Sequence, residues 1–257
     1  MKWLATAIGL ICFASLAGQD FRFKTYTTKE GLSSNDIRTV QQDDKGFLWI
    51  GTGNGLNRFD GNAFDHFYHD PADKNTVASN EIVSLYKDKK GNIWVGSIAG
   101  ISRYDPVKQQ FSNYHPDSSL GKCGRLYASM LEDDKGKLWV GSWYELLIFD
   151  TLTKKFQRSG WADYAASHKP LKGNNNRIVV VNLFPKTKNE MWVLTTYGLY
   201  SVNTDTKKFT WHPYSGLDDY YGCQLNYIDE TGSPWLGTYS NGLLHFNIQT
   251  NTWTKHT

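Results

Sequence analysis
Five tryptophans occupy the same place in five copies of one pattern: Trp49, Trp94, Trp139, Trp192 and Trp235. Steps of 45, 45, 53 and 43 residues separate them. A unit of about 40–50 residues built round a Trp-bearing strand is the sequence signature of a β-propeller blade. One blade cannot bury both of its faces, so consecutive blades have to stack to make a core. The period therefore predicts an all-β chain of five four-stranded blades, near residues 34–70, 79–117, 124–158, 176–214 and 220–257.

Alternation and turn residues mark four strands in each unit. Strand a is a short apolar run such as Ile82 to Tyr86. An Asp-x-x-Gly turn follows it at Asp43–Gly46, Asp88–Gly91, Asp133–Gly136 and Asp229–Gly232. Asp holds such a turn through its side chain, and Gly accepts the positive φ. Strand b carries the Trp, and a Gly stands two residues later at Gly51, Gly96, Gly141 and Gly237. A glycine inside a strand predicts the close approach of a neighbouring chain. Strand c is Leu56 to Phe59 and its copies, and strand d starts at Phe64, Phe111, Phe156, Phe209 or Trp253. Blade four departs from the pattern: Pro185 to Glu190 replaces the acidic turn and Leu194 replaces the glycine, which predicts less regular packing there.

The charge is nearly balanced, with 28 Lys and Arg against 25 Asp and Glu, both signs scattered. Without a basic stripe this composition argues against a nucleic-acid partner. The N-terminus reads as a secretory signal: Lys2, the apolar stretch Trp3 to Leu16, then the small residues around Ala17. Cleavage after Ala17 leaves a mature chain of residues 18–257 in the periplasm or outside the cell. The apolar run is shorter than the about 20 residues a membrane span needs. Ile11 before Cys12 is not the small residue that a lipoprotein signal places there. Beyond the signal only Cys123 and Cys223 remain, two blades apart, and a disulfide needs Cα atoms within about 7 Å. They read as separate thiols.

The repeat resembles the two-component regulator propeller repeat. The matching residues are Gly31 to Ile37, Asp43 to Thr52 and Gly55 to Asp60, with the same run recurring after Ser79-Asn80-Glu81-Ile82. His69-Asp70-Pro71 followed by Asn75 to Asn80 is similar to that family's junction between blades. The resemblance implies the periplasmic sensor region of a hybrid two-component histidine kinase. In that family a β-sandwich, a membrane helix and a kinase follow the propeller, and oligosaccharides are frequent signals. The implied partners are a small ligand and downstream receptor domains or a kinase.

Catalysis finds little footing in the residues. Asp44-x-Gly46-x-x-Trp49 is similar to the Asp-box of sialidases, which is a structural hairpin. Arg58 and Arg103 fall at one repeat position, and His69, His115, His212 and His256 all fall near the end of strand d. Positions repeated blade after blade read as scaffold. No zinc, phosphate-binding or Ser/His/Asp pattern appears, so no cofactor, metal or catalytic residue is assigned. A protein-interaction propeller without a small ligand is the alternative function, and a secreted polysaccharide lyase or glycosidase the third.

A ligand is expected on the face where the b–c and d–a loops gather. In blades one and two the b–c loops are small, Thr52-Gly53-Asn54 and Ser97-Ile98-Ala99. In later blades they carry Trp143, Tyr144 and Glu145, then Tyr197, then Tyr239 and Asn241. The long loop into blade four adds Trp161, Tyr164 and His168, and the loop into blade five adds Asp219, Tyr220 and Tyr221. Rings with nearby amides and carboxylates suit a sugar, whose C–H face stacks while its hydroxyls hydrogen-bond.

The segment Phe23 to Tyr26 aligns with strand d of blade four and is expected to be a strand d preceding blade one. The C-terminal Trp253 to Thr257 already supplies strand d to blade five. The reading is thus an incomplete arc of a seven- or eight-bladed ring, truncated at the C-terminus, with open blade faces prone to self-association.

Overall fold
The computed structural model describes residues 23–120, 129–167, 179–196, 198–214, 223–238 and 242–256. Blade one is β1 (Ile37–Gln42), β2 (Leu48–Thr52), β3 (Gly55–Phe59) and β4 (Phe64–Phe67). Blade two is β5 (Ile82–Lys87), β6 (Ile93–Ser97), β7 (Gly100–Asp105) and β8 (Gln110–Tyr114). Blade three is β9 (Met130–Glu132), β10 (Lys137–Gly141), β11 (Leu146–Asp150) and β12 (Lys155–Arg158). A short helix α1 (Trp161–Ser167) leads to blade four: β13 (Val180–Thr187), β14 (Glu190–Thr195), β15 (Gly198–Asn203) and β16 (Phe209–His212). Blade five is β17 (Cys223–Ile228), β18 (Pro234–Thr238), β19 (Leu243–Asn247) and β20 (Thr252–His256). Every blade is an antiparallel meander in chain order, and the first strands of consecutive blades lie side by side.

The acidic turn and the tryptophan form one device. Asp133 Oδ1 accepts the backbone N–H of Lys135 and Lys137 at 2.9 Å, while Oδ2 accepts Trp139 Nε1–H at 3.0 Å. Asp43 with Trp49, Asp88 with Trp94 and Asp229 with Trp235 repeat the indole bond at 2.9 Å. One carboxylate thus pins the turn and orients the ring. Blade four has no aspartate at this point, and the buried Trp192 Nε1–H has no acceptor. The Lys186 ammonium sits over its ring instead, 4.7 Å from the centroid. β13 also carries a second register shift, between Pro185 and Thr187, which the other first strands lack. The expected irregularity of blade four is therefore present and local.

The core is four seams between blades. Trp49 and Leu56 of blade one meet Ile82, Val95 and Tyr104 of blade two. Trp94 and Ile101 meet Leu138, Leu147 and Phe149. Trp139 and Leu146 meet Val193, Tyr200 and Val202. Trp192 and Leu199 meet Leu236, Leu244 and Phe246. Each ring is carried by one blade and covered by the next.

Residues 23–27 are not a strand, contrary to the expectation from their alignment with β16. A strand requires a partner ladder, and this segment pairs with none of the described strands. Tyr26 packs edge-on against Phe59 and Phe64 instead, at 4.8 and 5.8 Å. Thr27 and Glu30 then close a capping box round one 3-10 turn, Thr28–Glu30, which ends at Gly31 with φ 104°. The signal segment 1–17 and Cys123 lie outside the described residues.

Candidate functional site
The inner strands enclose a concavity of about 480 Å³ on the propeller axis. Its walls are β5, β9 and β13, with Thr39 of β1, and Trp143 from the β10–β11 loop reaches it. Strand a therefore does two jobs: alternate residues enter the seams, and those between them face the axis. Polar residues hold several axial positions. The Ser84 hydroxyl is buried without a hydrogen-bond partner. Ser129 Oγ donates to Asn182 Oδ1 at 2.5 Å and accepts Leu183 N–H at 2.7 Å, tying blade three to blade four. Tyr86 Oη accepts Glu132 N–H at 3.0 Å. The dish thus combines one indole with hydroxyl, phenol and amide groups. These axial residues escaped the sequence reading, which looked only to loops. The signal for them is a serine within an apolar strand, as in Val83-Ser84-Leu85.

Five of the loop residues singled out above fall among the described residues. Trp143 and Tyr144 are half-buried in the β10–β11 loop. Tyr144 N–H donates to Ser142 Oγ at 3.4 Å. Glu145, expected at the ligand, is buried in the fold. Its Oε1 accepts the N–H of Leu146 at 3.1 Å and of Ala162 at 3.3 Å, and Oε2 lies 3.8 Å from Arg158 Nε. Burial pushes the Glu145 carboxyl up from its ordinary value. It joins the loop to the first turn of α1.

Trp161 was likewise expected at the ligand and is instead fully buried. Trp161, Tyr164 and Ala165 stand at i, i+3 and i+4, which puts them on one face of a helix. That face turns into the seam between blades three and four, where Trp161 lies 5.0 Å from Tyr200 and 5.3 Å from Phe209. Tyr164 packs on the same cluster, and burial raises its phenol pKa. An apolar triplet at helical spacing inside a long loop was the legible sign of this packing. His168, Tyr197, Asp219, Tyr220, Tyr221, Tyr239 and Asn241 lie outside the described residues. Among the described residues no group of three or more His, Cys, Asp or Glu could hold a metal ion, and no helix is long and apolar enough to cross a membrane.

Residues 31–54 and 76–99 match the model of the two component regulator propeller. A 58-residue stretch is 40% identical to histidine kinase P4 of Formosa agariphila, over 23% of this chain and 4% of that protein. Among solved structures, the extracellular domain of a hybrid two component system from B. thetaiotaomicron aligns with a TM-score of 0.70 at 23% identity, over 90% of this chain and 31% of that one. Virginiamycin B lyase from Staphylococcus aureus aligns at 0.63 with 13% identity, over 86% of this chain and 70% of that one. At such identities the structural likeness speaks for the fold, and the chain spans under a third of the first of these structures. The chain thus carries two component regulator propeller repeats on a β-propeller fold.

Proposed function
We propose that the chain is the ligand-binding sensor region of a two-component receptor in the periplasm, and that it takes an oligosaccharide at the axial dish beneath Trp143. The observation that carries this reading is the convergence of a loop tryptophan with inward hydroxyl and amide groups from several blades. An indole face and a ring of hydrogen-bonding groups are what a pyranose needs: apolar stacking plus directional partners for its hydroxyls. The repeats themselves support the receptor context. His168, Tyr197, Asp219, Tyr220, Tyr221, Tyr239 and Asn241 extend the proposed surface over blades four and five. Binding would favour one arrangement of the propeller and its downstream domains, and so shift the receptor between signalling states.

The test is a panel of immobilised oligosaccharides probed with the wild-type chain and with Trp143→Ala. The expected outcome is retention of at least one glycan and a loss of about tenfold or more in the variant, the scale of one removed stacking contact. Far-ultraviolet dichroism checks that the variant keeps its fold. Failure of every glycan, with a tight protein partner recovered from the same cells, would favour the interaction-scaffold reading. Turnover of a polysaccharide by the pure chain would favour the lyase or glycosidase.

A further inference from the structure
The strand-c arginine repeats in the first two blades, but its surroundings do not. Arg58 stands between Trp49 and Asp65 in the sheet register. Its Nε and Nη2 donate to Asp65 Oδ2 at 3.1 and 2.6 Å, and Nη1 donates to Tyr104 Oη at 3.2 Å. The guanidinium is charge-paired, and it also lies 4.9 Å from the Phe47 ring centroid.

Arg103 holds the same register in blade two, between Trp94 and Ser112. Ser112 stands where blade one has its aspartate. In the next blade, Phe149 stands where blade two has the Tyr104 hydroxyl. Among the described residues the Arg103 guanidinium makes no ion pair and no hydrogen bond. Its Nε–H is sealed from solvent without an acceptor, whereas its Nη groups are outside that seal.

One more cation is coupled to it: Lys154 in the β11–β12 turn, itself within electrostatic reach of Lys90 in the β5–β6 turn. Burial first, and then repulsion by Arg103 and Lys90, lower the Lys154 pKa, with Asp150 opposing. The nearby Asp105 spends its Oδ1 on the N–H groups of Val107 and Lys108 at 3.0 and 3.1 Å. Lys154 Nζ donates to Thr151 O. Asp105 lies within electrostatic reach of Arg103 but makes no ion pair with it. A partly desolvated guanidinium without a directly paired carboxylate is costly, and its planar fork matches a carboxylate or a sulfate.

We infer that the seam between blades two and three binds one oxyanion group, a carboxylate or a sulfate, on the Arg103 guanidinium, in the place that Asp65 fills in blade one. Lys154 supplies a second positive charge beside it. The site lies at the a–b and c–d turns, the end of the blades opposite the loop that bears Trp143, so it stands apart from the axial dish.

The experiment titrates the wild-type chain, Arg103→Gln and Ser112→Asp with sodium sulfate and, separately, sodium acetate against chloride at matched ionic strength. The readouts are the thermal midpoint in all three proteins and, in wild type and Ser112→Asp, the Arg103 Nε–Hε cross-peak by nuclear magnetic resonance. Wild type is expected to shift saturably at millimolar anion. The affinity should fall by about tenfold to a hundredfold in both variants, the scale of a lost charge-assisted pair. Ser112→Asp should raise the midpoint without added anion, because it restores the blade-one pair. Saturation by acetate alone assigns a carboxylate ligand, and by sulfate alone a tetrahedral one. A cross-peak that never shifts, or an anion effect that is unsaturable and equal in all three proteins, overturns the inference.

Discussion
The indole N–H is the residue-scale hinge of this repeat. In four blades it ends on the aspartate that also closes the a–b turn, and in blade four it ends on nothing. Trp139 and Trp192 are equally buried, so Trp→Phe leaves a similar void at each. Only at Trp139 does it also strip a bond from a buried carboxylate. We expect Trp139→Phe to cost about 1–3 kcal/mol more than Trp192→Phe in urea unfolding; equal costs would show that the bond contributes nothing. A second residue bears on acid stability. His212 lies 5.0 Å from both Trp192 and Phe246 and shares a 2.9 Å hydrogen bond with Ser201 Oγ. Burial, assisted by Lys186, pushes its pKa down to about 4 from 6.5. Between those values the unfolded chain binds a proton that the folded chain refuses. Stability therefore falls as pH drops from 6.5 towards 4, by at most about 3 kcal/mol. Unfolding midpoints measured across this window should fall less for His212→Asn than for wild type.

At the scale of the element, the blade is set by where one strand allows the next to come. Gly51 and Gly141 stand on strand b directly under the first strand of the following blade. A Cβ on Gly51 would lie 2.6 Å from Cγ2 of both Ile82 and Thr39, and one on Gly141 would lie 2.7 Å from Val180 Cγ1. Ile, Val and Thr are stiff at χ1 and cannot swing aside. Gly51→Ala should destabilise by about 1–3 kcal/mol through overpacking. In Gly51→Ala/Ile82→Ala the two costs should sum to less than their separate values, since the second change removes one of the clashes. Strict additivity in that double-mutant cycle would place the strain elsewhere.

For the whole molecule, the two end blades expose what the inner blades bury. Ile37 is 50% exposed, while Ile82 and Val180 at the same register are at 0%. At the other end Leu243 is 41% exposed, against 0% for Leu56, Ile101, Leu146 and Leu199. Trp235 is half-buried, and among the described residues its ring stacks on His245 and His256 of its own blade. Apolar seam faces without a covering blade favour association. Sedimentation velocity of residues 18–257 should show concentration-dependent self-association, reduced in Ile37→Lys/Leu243→Lys. A monodisperse monomer at all concentrations, unchanged by the pair, would contradict this.

The blades were legible from the chain alone because their determinants are local. An Asp-x-x-Gly turn, a tryptophan three residues after its glycine and a small residue after that ring lie within one hairpin, so spacing reports them directly. The fate of the aromatic loops was not local. Whether Trp161 meets solvent or core depends on α1 folding into the seam of blades three and four, a contact with β15 and β16 far along the sequence. Glu145 was misplaced for the same reason: its partner, the Ala162 N–H, belongs to that helix. The axial dish exists only because strands from separate blades converge, and no single repeat contains it. Short-range chemistry decided each blade; the stacking of blades decided which side chains remained available for function.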